Sequence, residues 1–187
     1  MKLCLITSNK GKLAEFRSAL APLDIEVDHS AEGCDEIQAD TLQEVVHSCL
    51  TQLKTRGFSN FAIDDSGLFI HALKGFPGVY SAYVMRTLGN QGILTLLEGV
   101  EDRSAHFECC IGCSWHGEEF TAIGRCEGTI ARRPAGTGGF GFDPIFIPSG
   151  HSTTFAEMSL ELKNNISHRG RAIRAFSEEL RRRSDGA

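Results

Sequence analysis

The stretch "LITSNKGKLAEF", residues 5–16, joins a short apolar run to the start of an amphipathic helix through a polar turn. Residues 3–6 predict a buried strand, and apolar residues then recur from Leu13 at the spacing of one helix face. The turn therefore sits at a helix N-terminus, where unpaired backbone N–H groups and the helix dipole attract anions. Lys10 and Lys12 would add positive charge. The turn is a candidate phosphate site, although two solvated lysines would give the same pattern.

Two better-known glycine-rich nucleotide motifs are excluded. A P-loop would need a glycine at Ile6 and a hydroxyl at Leu13. The run "GTGGFGFDPIF", residues 136–146, formally contains Gly-x-Gly-x-x-Gly, but no apolar strand leads into it and Asp143-Pro144 stands where a helix should begin. Its phenylalanines could instead form a wall that stacks on a flat ligand, or simply anchor the core.

Length and charge limit the classes of function. The chain has 187 residues, which predicts a single domain over residues 1–187. Its 19 basic and 24 acidic residues give a net charge of −5, so we expect no nucleic acid polymer as a partner. No apolar run is long enough for a membrane helix, and Met1 leads directly into a strand without a signal-type segment. We therefore expect a cytoplasmic protein that does not bind membranes.

The cysteines predict neither a metal site nor a disulfide framework. There are seven, an odd count, and most lie inside apolar patterns. Cys110 and Cys113 form one Cys-x-x-Cys pair, for which His106 and His116 are poor additional zinc ligands because they lie in an expected strand. Buried, reduced thiols are the expectation.

Strands and helices alternate along the chain, which indicates an α/β protein with helices on a mixed sheet. The run "ADTLQEVVHSCLTQL", residues 39–53, carries one apolar stripe, and Thr41 with Glu44 reads as a capping box. "NFAI", residues 60–63, predicts a short strand that ends at Asp64-Asp65.

The second half of the chain continues this alternation. Two helices are expected to break around Gly89 and Gly92, and residues 104–130 predict a hairpin with Gly117 at its centre. A closing helix is expected from Ser167.

A candidate metal site follows the strand at residues 60–63. Asp64 and Asp65 point to opposite faces of a strand, so only one of them should face a ligand while the other is structural. Carboxylate oxygens suit Mg²⁺, which can activate water against a phosphate. A further acid would be needed, and "CDEIQAD" offers Asp35, Glu36 and Asp40. An ordinary Asp-Asp-Ser-Gly turn would explain the same residues.

Polar residues also gather before the closing helix, in "EMSLELKNNISHRGRA", residues 157–172. Lys163, His168 and Arg169 could contact a ligand there. Ser167 could be only an N-cap, with His168 and Arg169 on the surface of the first turn.

Together these motifs carry a family resemblance. "TSNKGKLAEF", "DDSGLFIHALKGFPGVYSAY", "GGFGFDPIFIP" and "TFAEMSLELKNNISHRGRA" follow in this order over nearly the whole chain. In these motifs the sequence resembles the inosine/xanthosine triphosphate pyrophosphatase family, whose members remove deaminated purine nucleotides. "EIQA" and "YVMRTLGNQGIL" are most similar to its archaeal branch.

The resemblance implies a fold, a reaction and an assembly. The fold would be α/β, with a long central mixed sheet flanked by helices and two lobes around a nucleotide-binding cleft, assembled as a homodimer. The reaction would be Mg²⁺-dependent hydrolysis of ITP, dITP and XTP to the monophosphate and pyrophosphate.

The resemblance also implies residue roles. Asp65 would be the general base and a Mg²⁺ ligand, with Glu36 as the other ligand. Substrate contacts would come from three groups of residues: Thr7, Ser8, Asn9, Lys10, Gly11 and Lys12 on the triphosphate; Phe140, Gly141, Phe142 and Asp143 at the base; and Ser66, Lys163, His168 and Arg169 elsewhere on the nucleotide.

The sequence departs from the family pattern in the helix over residues 42–53. Many members carry Glu-Asn-Ala-x-x-Lys there, whereas Cys49 stands at the lysine position of this chain. Cysteine cannot supply the phosphate-binding charge, for which Lys10 is a candidate replacement. Two other functions stay open: a pyrophosphatase with another nucleotide preference, and a nucleotide-binding regulator without turnover.

Overall fold

A computed structural model describes residues 2–185. The strands and helices are β1 (Lys2–Ile6), α1 (Lys10–Leu20), β2 (Glu26–Ser30), α2 (Leu42–Thr55), β3 (Phe61–Ile70), β4 (Pro77–Gly78), α3 (Ser81–Thr87), α4 (Gly89–Leu96), β5 (Ser104–Trp115), β6 (Glu118–Ile130), β7 (Phe146–Pro148), α5 (Leu160–Ile166) and α6 (His168–Asp185).

The strands form one seven-stranded mixed sheet. Its order is β2-β1-β3-β5-β6-β7, with β4 paired to β3. β1 runs parallel to both β2 and β3, while β4 and β7 are antiparallel to β3 and β6. The predicted α/β class with a mixed central sheet is confirmed.

The chain divides into two compact units, each made of separate segments. The first unit takes the described parts of residues 1–65, 109–124 and 172–187. In its core Phe176 of α6 meets Phe16 of α1 and Phe120 of β6, with ring centroids 5.8 and 5.7 Å apart. The closing helix thus buries the apolar face that the spacing from Leu13 predicts.

The second unit takes residues 66–108 and 125–171. Its core is aromatic at the centre: Phe107 of β5 and Phe146 of β7 lie 4.7 Å apart, and Phe155 lies 5.1 Å from Phe146. All three side chains are buried.

Several predicted elements are confirmed. The strand–turn–helix over residues 2–20 is present, and the β5–β6 hairpin turns at His116–Gly117, where Gly117 has a φ of 86°. The capping box is formed, because the Glu44 N–H donates to Thr41 Oγ1 and the Thr41 N–H donates to the Glu44 carboxylate. The Glu44 carboxylate also accepts from the Thr41 hydroxyl, and this bond, followed by those from the N–H groups of Thr41 and Asp40, lowers the pKa of Glu44.

Two predicted boundaries are wrong. β3 does not end at Asp64-Asp65 but continues to Ile70, because Leu68 and Ile70 are fully buried and Leu68 pairs with Gly78 of β4. Gly92 does not break a helix; it lies inside α4. The break between α3 and α4 falls at Leu88–Gly89, where Gly89 has a φ of 62°.

The expectation that all cysteines are reduced is wrong for two of them. Cys34 and Cys49 form a disulfide, with their Cα atoms 5.3 Å apart. Cys34 lies in the segment before α2, and Cys49 lies within that helix. The sequence gives no sign that this segment packs against α2 closely enough for the two sulfur atoms to bond. Cys4, Cys109, Cys110, Cys113 and Cys126 are not in disulfides, and all except the half-buried Cys4 are buried.

Across residues 2–185, every helix is too short or too polar to span a membrane.

Candidate functional site

A pocket of about 220 Å³ opens in the first unit between the turn after β1, the segment before α2, and β3. Thr7 and Ser8 line it from the turn, Glu36 from the segment before α2, and Asp65 from β3. The structure therefore brings together both predicted metal ligands and two of the predicted phosphate contacts.

Acidic side chains dominate the charge of this pocket. Glu32 and Asp64 line it in addition to Glu36 and Asp65, and no described lining residue is basic. Cys49, at the position of the family lysine, lines the pocket as half of the disulfide. Asp64 is paired with Lys12, and a cation would offset the repulsion between a triphosphate and the other carboxylates of the pocket.

The turn itself is capped by its own asparagine. The Asn9 side chain accepts hydrogen bonds from the N–H groups of Gly11 and Lys12 at 2.9 and 3.3 Å, and its own N–H donates to Thr7 Oγ1 at 3.1 Å. The sequence suggested that these helix N–H groups are open to an anion. Because Asn9 satisfies two of them, side chains must supply most of any phosphate contact from this turn.

Lys12 is held in place by Asp64. Its ammonium lies 3.0 Å from the Asp64 carboxylate and 3.4 Å from the Asp64 carbonyl oxygen, and the carboxylate is 1% exposed. The sequence predicted that only one of the two aspartates would face a ligand, but both line the pocket, and Asp64 in addition makes this ion pair. An ammonium has three N–H donors, so a third remains for a phosphate oxygen.

Side chains of α2 fix the segment that carries Glu36. Gln52 brackets Asp35, accepting from its N–H at 2.9 Å and donating to its carbonyl at 2.8 Å. Arg56 donates to the Gly33 carbonyl at 2.7 Å. With the Cys34–Cys49 disulfide, these contacts attach residues 33–36 to the helix. Sequence reasoning missed them, because a glutamine within a helix and an arginine just after its end carry no signal of a distant partner.

A second cluster of predicted residues lies in the second unit. The Phe140 ring is 55% exposed. The Lys163 ammonium lies 4.9 Å from the ring centroid and the Arg169 guanidinium 5.3 Å from it. A largely exposed aromatic ring with two cationic side chains over it offers a flat ligand an aromatic contact and hydrogen-bond donors.

Asp143 is a buried residue that holds two members of this cluster in place. Its carboxylate is 4% exposed and accepts from the Lys163 ammonium at 2.5 Å and from the Phe140 N–H at 2.7 Å. Gly139 must be glycine here, because it has a φ of 69° and a Cβ would lie 2.0 Å from the Asp143 carboxylate. Asp143 therefore positions Lys163 and the Phe140 loop.

Three other predicted contacts lie deeper than the sequence suggested. Phe142 is buried in the apolar core, so only its backbone could meet a ligand. His168 and Arg169 are not surface residues of a first turn: each is 6% exposed, and His168 stacks on Phe107 at 4.6 Å. Ser167 accepts from the Gly170 N–H at 3.1 Å, as an N-cap does.

The other residues that the sequence predicted for the site lie at the following positions. The Gly141 carbonyl accepts from the Asn90 side chain at 3.1 Å, and Ser66 follows Asp65 in β3. Lys10 is the first residue of α1 and is exposed. Asp35 and Asp40 are exposed outside the pocket lining.

Comparison with known proteins gives one consistent result. The model of the Ham1 family matches residues 3–179. A dITP/XTP pyrophosphatase of Thermococcus kodakarensis is 54% identical over 181 residues, covering 97% of this chain and 98% of that protein. The protein of the same name from Pyrococcus horikoshii is 49% identical, covering 97% of each chain.

Solved structures agree. A HAM1 protein from Coxiella burnetii superposes with a TM-score of 0.85 at 34% identity, covering 96% of this chain and 98% of that one. A nucleoside-triphosphatase described as a dITP/XTP pyrophosphatase from Mycobacterium abscessus gives a TM-score of 0.74 at 35% identity, covering 94% and 98%.

Proposed function

The chain belongs to the Ham1 family, and from this we propose that it hydrolyses dITP, XTP and ITP to the monophosphate and pyrophosphate. It is a hydrolase that acts on acid anhydrides. The observation that carries the proposal is the acidic pocket, in which Glu36 and Asp65 meet the Thr7–Ser8 turn. A site of this composition suits a metal-bound triphosphate. By this hydrolysis the enzyme would remove non-standard purine nucleotides from the cellular nucleotide pool.

The donor set of the pocket fits Mg²⁺. Carboxylate and hydroxyl oxygens are hard ligands of the kind that Mg²⁺ takes, and the lining offers both. We assign Glu36 and Asp65 as the ligands. A bound divalent metal would neutralise phosphate charge and lower the pKa of a coordinated water.

The residues of the pocket would then perform a displacement at the α-phosphorus. Asp65 accepts a proton from the attacking water as the new P–O bond forms. The bond from the α-phosphorus to the bridging oxygen breaks, and pyrophosphate leaves with that oxygen. Lys12, held by Asp64, donates to a phosphate oxygen and offsets charge that develops on the leaving group.

We assign the second cluster to the purine base. Phe140 is largely exposed, and Lys163 and Arg169 lie over its ring as hydrogen-bond donors. Hypoxanthine and xanthine carry an acceptor oxygen at C6, whereas adenine carries an amino donor. A donor directed at C6 therefore selects the deaminated bases against adenine.

We also propose a cytoplasmic homodimer that acts on free nucleotides. Tyr80 and Tyr83, three residues apart at the start of α3, are 44% and 59% exposed. Two exposed tyrosines on one helix face are typical of a protein interface.

Light scattering should give about twice the chain mass of 20.4 kDa, and Tyr83→Glu should reduce the measured mass to the monomer value. A monomeric wild-type protein would contradict this assembly.

Product analysis tests the proposed reaction. Purified protein with Mg²⁺ should convert ITP to IMP and pyrophosphate without passing through IDP, and a panel of XTP, dITP, GTP and ATP should show the selectivity. Orthophosphate release with accumulation of IDP would contradict the proposed cleavage site. Binding of ITP without turnover would show a nucleotide-binding regulator instead.

A further inference from the structure

Three side chains of metal-ligating type meet in the second unit, and neither candidate cluster uses them. His71 follows β3, His106 lies on β5 and Glu127 on β6. One ligand atom from each lies within 4.8 Å of the other two. His106 is buried, while His71 and Glu127 are exposed, so solvent reaches the group.

A hydrogen-bond relay fixes the tautomer of His71. The Ser104 hydroxyl donates to the Asp102 carboxylate at 2.5 Å. A hydroxyl has one hydrogen, so the same oxygen must accept from His71 Nδ1, which lies 2.9 Å away. His71 Nδ1 is therefore a donor, and in the neutral imidazole Nε2 carries the lone pair. An imidazole oriented through its second nitrogen towards a carboxylate is the usual arrangement of a metal-binding histidine.

The Nε2 lone pair of His71 is directed at His106. The two atoms, His71 Nε2 and His106 Nδ1, lie 3.3 Å apart. His106 is held in this position because its ring stacks on Phe69, with centroids 4.9 Å apart and planes within 2°. Two nitrogens bound to one tetrahedral zinc ion at 2.0–2.1 Å would be separated by roughly 3.3–3.4 Å. The pair already has the spacing of two ligands on one ion, although a direct hydrogen bond would give the same distance.

Glu127 completes a set of two nitrogens and one carboxylate. Its carboxylate also pairs with Arg125 at 2.5 Å, and both side chains are about half exposed. An exposed ion pair contributes little free energy, so a metal ion could displace Arg125 at small cost. Two imidazoles with one carboxylate favour a borderline transition metal such as Zn²⁺ over Mg²⁺.

We propose that His71, His106 and Glu127 bind a divalent transition metal ion, with Ser104 and Asp102 orienting His71. This site is independent of the Glu36–Asp65 pocket and of the proposed nucleotide chemistry. Three protein ligands leave a fourth position for water or an exogenous ligand.

Calorimetric titration of the full-length protein with Zn²⁺ in Mg²⁺-containing buffer tests the proposal. The wild type should bind one zinc ion per chain with a Kd in the micromolar range or tighter. His71→Ala and Glu127→Gln should each weaken binding by about 10-fold or more, and Ser104→Ala should weaken it by a similar factor through the relay. His29→Ala, which removes an exposed histidine of β2, is the matched control and should bind like the wild type.

Thermal melting and Mg²⁺-dependent ITP hydrolysis of each variant establish that it is folded. His71 and Glu127 are exposed, so neither substitution disturbs the core. Absence of zinc binding by the wild type would overturn the proposal, as would binding that His71→Ala and Glu127→Gln leave unchanged. The two histidines would then be a hydrogen-bonded pair and nothing more.

Discussion

Asp64 and Asp65 are adjacent residues of one strand with different surroundings. Asp65→Asn keeps the shape of the side chain but removes a metal ligand and a proton acceptor, so turnover of ITP should fall by roughly 10²-fold or more without loss of folding. Asp64→Asn leaves the Lys12 ammonium without its buried partner, so it should lower the melting temperature and reduce turnover less. Steady-state kinetics and thermal melts measure both. Equal losses of turnover would contradict the roles assigned to the two aspartates.

Arg169 tests the account of base selection. Arg169→Ala removes a buried donor beside Phe140, so hydrolysis of ITP and XTP should fall far more than the weak hydrolysis of ATP, and the ratio between them should shrink. Ratios of kcat/KM for the three substrates measure this. Arg181→Ala, on the exposed face of α6, is the control. An equal loss on all three substrates would make Arg169 a phosphate-binding or structural residue.

Cys113 should be chemically inert in the folded protein. Burial raises the pKa of its thiol to about 12, with Arg183 opposing the shift. At pH 8 only about one molecule in ten thousand would then carry a thiolate, which is the reactive form. Iodoacetamide should therefore leave Cys113 unmodified in native protein and alkylate it after unfolding in guanidinium, as mass spectrometry of the peptides would show. Alkylation at equal rates in both states would contradict the burial.

At the scale of elements, the Cys34–Cys49 disulfide stabilises the segment that carries Glu36. It spans a sequence separation of 15, for which loss of the cross-link costs about 3 kcal/mol in the chain-entropy account. A reductant should lower the melting temperature and raise the Mg²⁺ concentration for half-maximal activity several-fold. A Cys34→Ser/Cys49→Ser variant should show both changes and no response to the reductant. Identical Mg²⁺ dependence with and without reductant would show that the contacts of Gln52 and Arg56 are sufficient.

The sequence predicted elements whose signal is local and missed those that depend on distant partners. The capping box at Thr41 and the turn at Gly117 were correct, because a side chain or a positive φ decides each within a few residues. The end of β3 was wrong, because pairing with β4 extends the strand through polar residues that look like a turn. The same limit hid the disulfide and the burial of His168, whose stacking partner Phe107 is far away in sequence.

The candidate site shows the same division. The polar turn near Lys12 and the pair Asp64-Asp65 could be found from short motifs, and the family resemblance supplied Glu36. Two ion pairs could not be found from the sequence, those of Lys12 with Asp64 and of Lys163 with Asp143. Residues that are far apart in sequence give no sign that they form a salt bridge.

At the scale of the molecule, the core of the first unit depends on the last helix. Phe176 is fully buried against Phe16 and Phe120, so Phe176→Ala should cost about 3–5 kcal/mol and lower the melting temperature by roughly 10 °C. Glu178→Ala, on the exposed face of the same helix, should change it little. Calorimetry measures both. A small loss for Phe176→Ala would mean that α6 contributes little to this core. Neither unit is a continuous stretch of chain. The single domain expected over residues 1–187 stays a prediction, because this experiment does not test it.

The contact between α1 and α6 also sets an order of events during synthesis. β1 and α1 are synthesised before α6, but the face of α1 that carries Phe16 is covered in part by Phe176 of that later helix. An isolated helix of 11 residues has little stability in water, and α1 lacks the packing of Phe176 until α6 has been translated. The packing of α1 is thus completed only after α6 has been made, and a ribosome that pauses before α6 prolongs the exposure of α1 to chaperones and proteases.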